Sequence, residues 1–362
     1  MQVGNKGFKP INFTPLDFVF QGGCTEVHLL RGDRGVKIVR PRFDSDRETA
    51  ERLLRQLCRE ALITTTLSQA TTPIPTLIPG GGLVPCQRED GKMDIGLQLP
   101  EVWGKSADAI LATEAFEPIV ALKIVRDVLL AFVALHEHGI IHHDVKPGNI
   151  IVLERSVKKP KVVALGRGDW SRLKEKSYLI NEGTFDHQKY AKVSLTFPQL
   201  IEDFDWPGEN REAIFALLDQ RAVLIDLGSA YRLTDNDKVP LSTPGYQAPE
   251  LILAGLPTPA SDLYSLALSL YELLTWKVPI KLGKTDLISW LNMNSVLAQH
   301  QKFHQRIEAE NFHPLVANLL KRMSVFDMSK SDYEVSDRLN DAREALTLVN
   351  QAIVALVRGT DG

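Results

Sequence analysis

The residues of this chain that can do chemistry lie in two short runs. The first run, residues 142–149 with the sequence HHDVKPGN, brings a carboxylate (Asp144), a cation (Lys146) and an amide (Asn149) close together. A carboxylate can act as a base that orients a hydroxyl, and an ammonium group beside it can neutralise a phosphate. The second run, Asp226-Leu227-Gly228, adds a carboxylate that can hold a metal ion on that phosphate. These residue types therefore fit phosphoryl-transfer chemistry.

A third run, residues 243–250 with the sequence TPGYQAPE, follows the second. In this order, the three runs resemble the catalytic loop, the metal-binding turn and the end of the activation segment of eukaryotic-type (Hanks-type) serine/threonine protein kinases. The resemblance extends over about residues 16–350. It implies an enzyme that binds ATP and Mg²⁺ and phosphorylates serine or threonine side chains of protein substrates.

The resemblance also implies a role for each polar residue of these runs. Asp144 would orient the substrate hydroxyl and accept its proton, and Lys146 would neutralise the γ-phosphate. Asn149 and Asp226 would hold magnesium ions, and Thr243 would bond to the catalytic aspartate. A lysine two positions after the aspartate is typical of serine/threonine kinases rather than tyrosine kinases. The alternative for each residue taken singly is a polar loop side chain.

Two residues of the first hundred match the pair that positions ATP in this family. Lys37, in the apolar run 35–39, falls where the strand lysine contacts the α- and β-phosphates. Glu60, in a helical pattern, matches the carboxylate that pairs with this lysine. Taken singly, they would be interpreted as an edge-strand surface lysine and as part of a solvated helix face. Their order relative to the later runs favours the kinase interpretation.

Residues 20–27 align with the glycine-rich loop that covers the phosphates. Gly22, Gly23 and Val27 are therefore expected at the nucleotide. Only Gly22 falls on a glycine of the family pattern, and other residues replace the outer two. Because glycine permits close approach of the backbone to phosphate, we expect this loop to be stiffer or differently shaped.

The adenine site is expected at residues 99–102, between the two lobes. By the resemblance, Leu99 is the gatekeeper, and the carbonyl of Pro100 and the N–H of Val102 face adenine. Proline has no N–H, but its position in this pattern needs only the carbonyl.

The elements that must position these residues change in type near residue 103. The first hundred residues predict strands and one helix: strands 26–30, 36–39, 83–86 and 94–99, and helix 46–69. Later residues predict mainly helices: 117–137, 261–275 and 337–357. We therefore expect an α+β, bilobal protein-kinase-like fold, with a small β-rich N-lobe carrying one helix (1–102) and a large, mainly helical C-lobe (103–362).

One residue of the catalytic loop departs from the family pattern. His143 stands where the family has an arginine that contacts a phosphate on the activation loop. An imidazole is only partly charged near neutral pH. We therefore expect that activity does not depend on a phosphate at Thr234 or Ser242.

The sequence leaves two alternatives to an active protein kinase. Small-molecule phosphotransferases share the base, lysine and asparagine but generally lack the Ala-Pro-Glu segment ending at Glu250 and the helix that begins near Asp262. Glu250 is expected to pair with an arginine near the C-terminus, for which Arg338 is the candidate. A pseudokinase scaffold, which binds nucleotide or partners without turnover, is the second alternative, because the glycine-rich loop and residue 143 depart from the pattern.

A long insertion separates two of the motifs. Asn149 and Asp226 lie 77 positions apart, where the family usually has about a dozen. The insertion fills approximately residues 154–221, with a basic first half and an acidic, aromatic second half that ends in a predicted helix at 212–218. It is either an ordered surface elaboration or a docking or autoregulatory element for a partner.

Composition excludes several other classes. A net charge of −3 indicates no nucleic-acid partner. Cys24, Cys58 and Cys86 are too far apart in sequence to suggest a disulfide framework or a zinc site, and they suit a reducing cytoplasm. The most apolar stretch, 119–135, contains three charged residues, so we expect no membrane span.

Overall fold

The chain divides into two units in this computed structural model. The first, here called the sheet unit, comprises Met1–Thr71, Ile78–Val102 and Asp226–Gly228. The second, the helical unit, comprises Thr72–Leu77, Trp103–Ile225 and Ser229–Gly362. The structure describes residues 11–12, 17–21, 25–30, 34–39, 46–69, 82–87, 93–100, 104–153, 221–234, 240, 242–253, 255–280, 293–326 and 337–359.

The described residues of the sheet unit form a six-stranded sheet and one helix. The sheet order is β1-β5-β6-β4-β3-β2, and all neighbouring strands are antiparallel except β1 and β5. The strands are β1 (Ile11–Asn12), β2 (Asp17–Gln21), β3 (Thr25–Leu30), β4 (Arg34–Val39), β5 (Leu83–Gln87) and β6 (Met93–Pro100). All four strands expected in this part of the chain are confirmed, with ends shifted by up to two residues.

Helix α1 (Arg47–Gln69) confirms the predicted helix at 46–69. It begins after Asp46, whose Oδ1 accepts a hydrogen bond of 3.1 Å from the backbone N–H of Thr49. Such a cap satisfies an N–H group that has no partner within the helix. Leu53, Leu57 and Ala61 lie on one face of the helix and are buried, whereas Leu62 is exposed. The buried face is the one that packs on the sheet.

The register of the sheet directs Lys37 toward α1. One face buries Val36 and Ile38 of β4, and the other buries Leu97 of β6 against α1. Side chains alternate between faces along a strand, and Lys37 pairs with Leu97, so its side chain lies on the α1 face. On the opposite face, a Cβ at Gly96 would lie 2.3 Å from Cγ1 of Val36, which leaves room there only for glycine.

The helical unit is built around two buried helices, α3 and α5, with α9 packed along α3. A three-stranded sheet (β10-β9-β7) and a two-stranded sheet (β11-β8) accompany them. The helices described in this unit are α2 (Ala107–Leu111), α3 (Pro118–Glu137), α4 (Pro249–Ile252), α5 (Pro259–Thr275), α6 (Met293–Gln301), α7 (Phe303–Ala309), α8 (Pro314–Met323) and α9 (Ala342–Arg358). The strands are β7 (Gly104–Ser106), β8 (Ile140–Ile141), β9 (Ile150–Leu153), β10 (Ala222–Leu224) and β11 (Tyr231–Arg232).

The three helices expected from the sequence are present, and their ends follow from capping. Helix α3 ends at Glu137, as the range 117–137 predicts, and is followed by Gly139, whose φ of +66° is typical of a residue that terminates a helix. Helix α5 begins two residues earlier than predicted, because Thr258 and Ser261 form a reciprocal capping box. Helix α9 begins at Ala342 rather than at 337. The predicted start is wrong because the cap is Asp341, which accepts from the N–H of Arg343.

The insertion leaves and re-enters the helical unit at neighbouring points. The N–H of Leu153, the last residue of β9, donates to the carbonyl of Arg221 at 2.9 Å, and β9 pairs antiparallel with β10. Oδ2 of Asp127 on α3 also accepts from the N–H groups of Arg221 and Ala222, at 2.6 and 2.9 Å. The two ends are thus held together. Residues 154–220, including the predicted helix at 212–218, lie outside the described residues.

Among the helices that the structure describes, none combines the length and the apolar character needed to cross a lipid bilayer.

Candidate active site

Lys37 lies at the centre of a three-residue ionic cluster in the sheet unit. Its Nζ is 2.8 Å from Oε2 of Glu60 on α1 and 2.7 Å from Oδ1 of Asp226. The side chains of Lys37 and Glu60 are 8% and 5% exposed, whereas that of Asp226 is 39% exposed. The structure therefore brings together three residues that are separated by as many as 189 positions in the chain.

Burial and charge act in opposite directions in this cluster. Burial alone would lower the pKa of Lys37, but the carboxylates of Asp226 and Glu60 outweigh it and raise the pKa above its ordinary value. Burial raises the pKa of Glu60, and the Lys37 ammonium opposes this shift. The lysine is therefore firmly cationic, as a group that contacts phosphate must be.

Asp226 has a backbone conformation that few non-glycine residues adopt, with a φ of +69°. Its Oδ1 accepts from the N–H of Gly228 at 3.2 Å, in addition to the bond from Lys37. A Cβ at Gly228 would lie 3.1 Å from that same oxygen, which is tighter than an ordinary contact. The turn 226–228 thus fixes one carboxylate oxygen and leaves the side chain partly exposed.

The helical unit carries a second cluster, centred on the carboxylate of Asp144. Oδ1 accepts from the N–H of Thr243 at 2.8 Å. Oδ2 accepts from Nζ of Lys146 at 2.8 Å and from Nδ2 of Asn149 at 3.1 Å. Lys146 also donates to Oγ1 of Thr243 at 2.6 Å. Four of the predicted site residues therefore form one hydrogen-bonded group.

The backbone that carries Asp144 is held by Asp262 at the start of α5. Its two carboxylate oxygens accept from the N–H groups of His142 and His143, each at 2.8 Å. Nε2 of His136 lies 3.0 Å from Oδ2 of the same carboxylate. Burial alone would raise the pKa of Asp262, but its interactions with His136 and His142 and the hydrogen bond from the N–H of His143 lower it. The charged form is therefore maintained in a buried position.

His143 is the least expected residue of this loop. Its φ is +68°, its side chain is buried, and its Nε2 lies 2.9 Å from the carbonyl oxygen of Pro240. Burial lowers its pKa, although Pro240, Asp262 and Asp144 oppose the shift. The imidazole is therefore neutral, and because a carbonyl can only accept, Nε2 carries the proton.

The catalytic loop also contacts the segment that precedes the metal-binding turn. The N–H of Ile225 donates to the carbonyl of Asn149 at 3.0 Å, and Nε2 of His142 lies 3.1 Å from the carbonyl oxygen of Ile225. Residues 147–149 form a single turn of 3-10 helix that returns the chain toward Asp144. The Ile225 backbone is thus tied to the loop at two points.

The end of the activation segment is anchored by the ion pair that the sequence predicts. Nη1 of Arg338 lies 2.6 Å from Oε1 of Glu250, and the side chain of Arg338 is fully buried. Its guanidinium also stacks over the ring of Tyr264 on α5, 4.6 Å from the centroid. The hydroxyl of Tyr246 donates to Glu272, also on α5. The run 243–250 is therefore bonded to other parts of the helical unit at Tyr246 and at Glu250.

The residues expected at the nucleotide are only partly described. Val27 pairs with Lys37 across strands β3 and β4, and Leu99 packs against the buried cluster between α1 and the sheet. Pro100 is the last residue of β6. Gly22, Gly23 and Val102 lie outside the described residues.

Sequence reasoning missed several contacts within the site. The bond between His143 and Pro240 joins residues that are 97 positions apart, and the bond between His136 and Asp262 joins residues 126 apart. The only available signal was negative, namely the histidine in place of an arginine at 143. No spacing in the sequence indicates either partner.

Comparison with known proteins agrees with this geometry. A family model described as "Protein kinase domain" matches residues 212–333. Serine/threonine-protein kinase PksC of Streptomyces coelicolor is 31% identical over 151 residues, which are 40% of this chain and 26% of that protein. Serine/threonine-protein kinase PkaB of the same organism is 26% identical over 271 residues, which are 74% of this chain and 49% of that protein. The chain thus spans about half, or less, of the length of these two curated relatives.

The family match begins before the metal-binding turn and continues through the activation segment and helix α8. The longer of the two alignments covers 74% of the chain, well beyond that match. The bonded groups around Lys37 and Asp144 lie where the family motifs predict them. The chain is thus similar to eukaryotic-type (Hanks-type) protein kinases, and the strands of its sheet unit and the helices of its helical unit fit the α+β fold of that family.

Proposed function

We propose that this chain is an active protein kinase that transfers the γ-phosphate of ATP to serine or threonine hydroxyls of protein substrates, with Mg²⁺ as its metal. The observation that carries the proposal is the fully bonded carboxylate of Asp144, which Lys146, Asn149 and Thr243 hold from three directions. A pseudokinase has no need to keep a base, a cation and an amide in this arrangement.

Asp144 would act as the group that orients the substrate hydroxyl and takes its proton. Oδ1 is fixed by a backbone N–H, and Oδ2 lies between the Lys146 ammonium and the Asn149 amide. The ammonium also offers a cation for the transferred phosphate. Positioning and charge neutralisation of this kind are the main contributions of a kinase to phosphoryl transfer.

Asn149 and Asp226 are the residues that would hold magnesium. Nδ2 of Asn149 donates to Oδ2 and to the carbonyl of Asp144, so Oδ1 of the amide takes no part in those bonds. The Asp226 carboxylate is partly exposed. Both groups supply the hard oxygen ligands that Mg²⁺ prefers, so the residues present fit the ion. When bound, the ion would neutralise charge on the phosphates.

Lys37, positioned by Glu60, would contact the α- and β-phosphates of ATP. Gly22, Gly23 and Val27 would cover the phosphates, while Leu99, Pro100 and Val102 would line the adenine site. These assignments come from the resemblance, and the buried Lys37–Glu60 bond of 2.8 Å supports them. We also propose residues 1–102 and 103–362 as the two lobes and the cytoplasm as the location.

Three observations favour serine or threonine in a protein as the acceptor. Lys146 bonds both Asp144 and Thr243, an arrangement built on the lysine position that is typical of serine/threonine kinases. The Glu250–Arg338 pair secures an activation segment of the protein-kinase type, which small-molecule phosphotransferases generally lack. Both relatives are named serine/threonine-protein kinases.

The proposal is tested by measuring transfer from γ-labelled ATP with Mg²⁺ to the chain itself and to generic protein substrates. We expect label on serine or threonine in the wild type and none in Asp144→Asn or Asp226→Ala. Label on a small molecule but not on protein would reject the protein substrate class. Nucleotide binding without any transfer would reject catalysis in favour of a scaffold.

The insertion at 154–221 is proposed as a docking element for a protein partner. Its ends are held side by side by the Leu153–Arg221 bond and by Asp127, so the segment between them can vary without displacing β9 or β10. Its sequence carries opposed blocks of charge, which suits recognition of a charged surface.

A further inference from the structure

The hydrogen bond between His143 and Pro240 is not used in the proposed phosphate transfer. His143 lies beside the catalytic aspartate, and Pro240 lies three residues before Thr243 in the activation segment. The two residues are joined by a hydrogen bond of 2.9 Å between Nε2 and the Pro240 carbonyl oxygen. A side chain of the catalytic loop thus directly holds the backbone of the activation segment.

The burial and backbone conformation of His143 fix its side chain for this contact. His143 is 4% exposed, and its positive φ is stabilised by the bond from its N–H to Asp262. Nδ1 is buried and has no hydrogen-bond partner in the described part of the chain. In a protonated imidazole Nδ1 would also carry a hydrogen, and this N–H would be buried without a partner among the described residues, so the arrangement suits the neutral ring with its proton on Nε2.

The segment held by His143 completes the group around Asp144. The N–H of Thr243 donates to Oδ1 of Asp144, and the hydroxyl of Thr243 accepts from Lys146. Displacement of the segment would remove both bonds. The restraint at Pro240 therefore helps to keep the Asp144 carboxylate in its position.

The surroundings of His143 do not suit a phosphate. The charged groups that act on the imidazole include the carboxylates of Asp262 and Asp144, and the ring itself is neutral. In the same segment, the hydroxyl oxygen of Ser242 is buried, so a phosphate there would require the segment to move. The restraint at Pro240 is thus a neutral hydrogen bond rather than an ion pair.

We propose that His143 is a positioning residue that holds the activation segment in its catalytic arrangement through the Pro240 carbonyl, in place of a phosphate on that segment. The inference rests on the proposed kinase function. The His143–Pro240 hydrogen bond would hold the segment at all times. The enzyme would therefore be active without phosphorylation of the segment.

Three variants separate the hydrogen bond from the bulk of the ring. His143→Leu removes the donor. His143→Gln carries an N–H donor the same number of bonds from Cα as Nε2, and His143→Asn carries one a bond short. We expect kcat to fall about tenfold in His143→Leu and His143→Asn, the effect of one buried hydrogen bond, and to recover in His143→Gln. The KM for ATP should stay unchanged in all three.

A second measurement does not depend on activity. Amide hydrogen exchange of a peptide covering residues 242–246 reports the Thr243 N–H that bonds Asp144. We expect faster exchange in His143→Leu than in the wild type or His143→Gln. Phosphatase-treated wild type and the Thr234→Ala/Ser242→Ala double variant should keep full activity.

Equal kcat and exchange in all His143 variants, or loss of activity on phosphatase treatment, would overturn the inference. If His143→Gln is as impaired as His143→Leu, the ring rather than its N–H is needed, and the inference also fails. If the wild type itself transfers no phosphate, the proposed function fails, while the exchange measurement still decides whether His143 holds the segment.

Discussion

The hydroxyl of Tyr264 lies 2.6 Å from Nδ1 of His300, and both side chains are buried in the helical unit. Tyr264 stands two residues after Asp262 on α5, and its ring supports the guanidinium of Arg338. The anchor of the activation segment and the anchor of the catalytic loop therefore share one short stretch of α5. A change in the protonation or position of His300 would therefore affect both anchors.

This position makes His300 a source of acid sensitivity. Burial, aided by Arg338 and Arg306, lowers the pKa of His300 from 6.5 to about 3. The folded state keeps the His300 ring neutral. Between pH 6.5 and pH 3, the unfolded chain therefore binds one proton more at His300 than the folded chain does. Stability is therefore unaffected above pH 6.5 and falls between pH 6.5 and 3, by up to ~1.4 kcal/mol per pH unit.

We expect the free energy of unfolding of the wild type to fall by about 2 kcal/mol more than that of His300→Asn between pH 7.5 and pH 5. Asparagine keeps a polar atom near the Nδ1 position for Tyr264 and does not titrate. Urea unfolding followed by circular dichroism at the two pH values measures the difference. Equal losses in both proteins would show that His300 does not titrate in this window.

The Glu250–Arg338 pair should be far more important for stability than its surface counterparts. Arg338→Met leaves a mostly buried carboxylate without its cation, which should cost about 3 kcal/mol. The matched control is Arg322→Met, because Arg322 bonds Glu344 at the same 2.6 Å but with both side chains well exposed. The control should cost less than about 1 kcal/mol. Similar losses in the two variants, measured by urea unfolding, would contradict the prediction.

Variants at Lys37 and Glu60 should show that the stability and the activity of the chain depend on different properties of Lys37. Lys37→Met should lower kcat/KM at least about 100-fold, because a cation aimed at the phosphates is lost. It should also destabilise the chain, since Glu60 would remain buried without a partner. The double variant Lys37→Met/Glu60→Gln should regain stability but not activity.

Thermal unfolding together with the phosphate-transfer assay tests both parts of this prediction. Arg47→Met is the control on the same helix, because Arg47 forms an exposed pair with Glu51. This variant should leave both quantities unchanged. Recovery of activity in the double variant would show that Lys37 does not contact the phosphates.

Sequence alone predicted the elements whose signals are local. Helix α1 with its Asp46 cap, helix α3 with Gly139 after it, and the strands around Lys37 all follow from periodicity and from residues at their ends. The Lys37–Glu60 and Glu250–Arg338 contacts were predicted as well, but only because the family resemblance supplied the partner.

The remaining contacts could not be predicted because their determinants are spread along the chain. His143 meets Pro240 only after the activation segment has folded back on the loop, and Asp127 meets Arg221 only after the insertion has returned. The groups that His143 and Asp127 contact are the backbone carbonyl of Pro240 and the backbone N–H of Arg221. Almost every residue has such groups, so the sequence does not show which residue is the partner. The start of α9 was misplaced at residue 337 because the pattern does not show which residue caps the helix; the cap is Asp341, which accepts from the N–H of Arg343.

The last prediction concerns the insertion. Its ends at Leu153 and Arg221 form a backbone hydrogen bond of 2.9 Å at the end of an antiparallel pair, which is where a two-residue turn fits. We therefore expect that replacing residues 154–220 by Asn-Gly preserves the fold of β9 and β10. If the insertion docks partners, kcat/KM for a short peptide substrate should be unchanged, while kcat/KM for protein substrates that use the insertion should fall.

A Gly/Ser linker of the same length as residues 154–220 is the control, because it keeps the chain length and removes the charged sequence. The linker variant should behave like the Asn-Gly variant in both assays. Unchanged activity and unchanged substrate preference in both variants would leave the insertion as a surface elaboration. Loss of peptide phosphorylation in the Asn-Gly variant alone would mean that the length of the connection, through its effect on β10 and the metal-binding turn that follows, matters for catalysis itself.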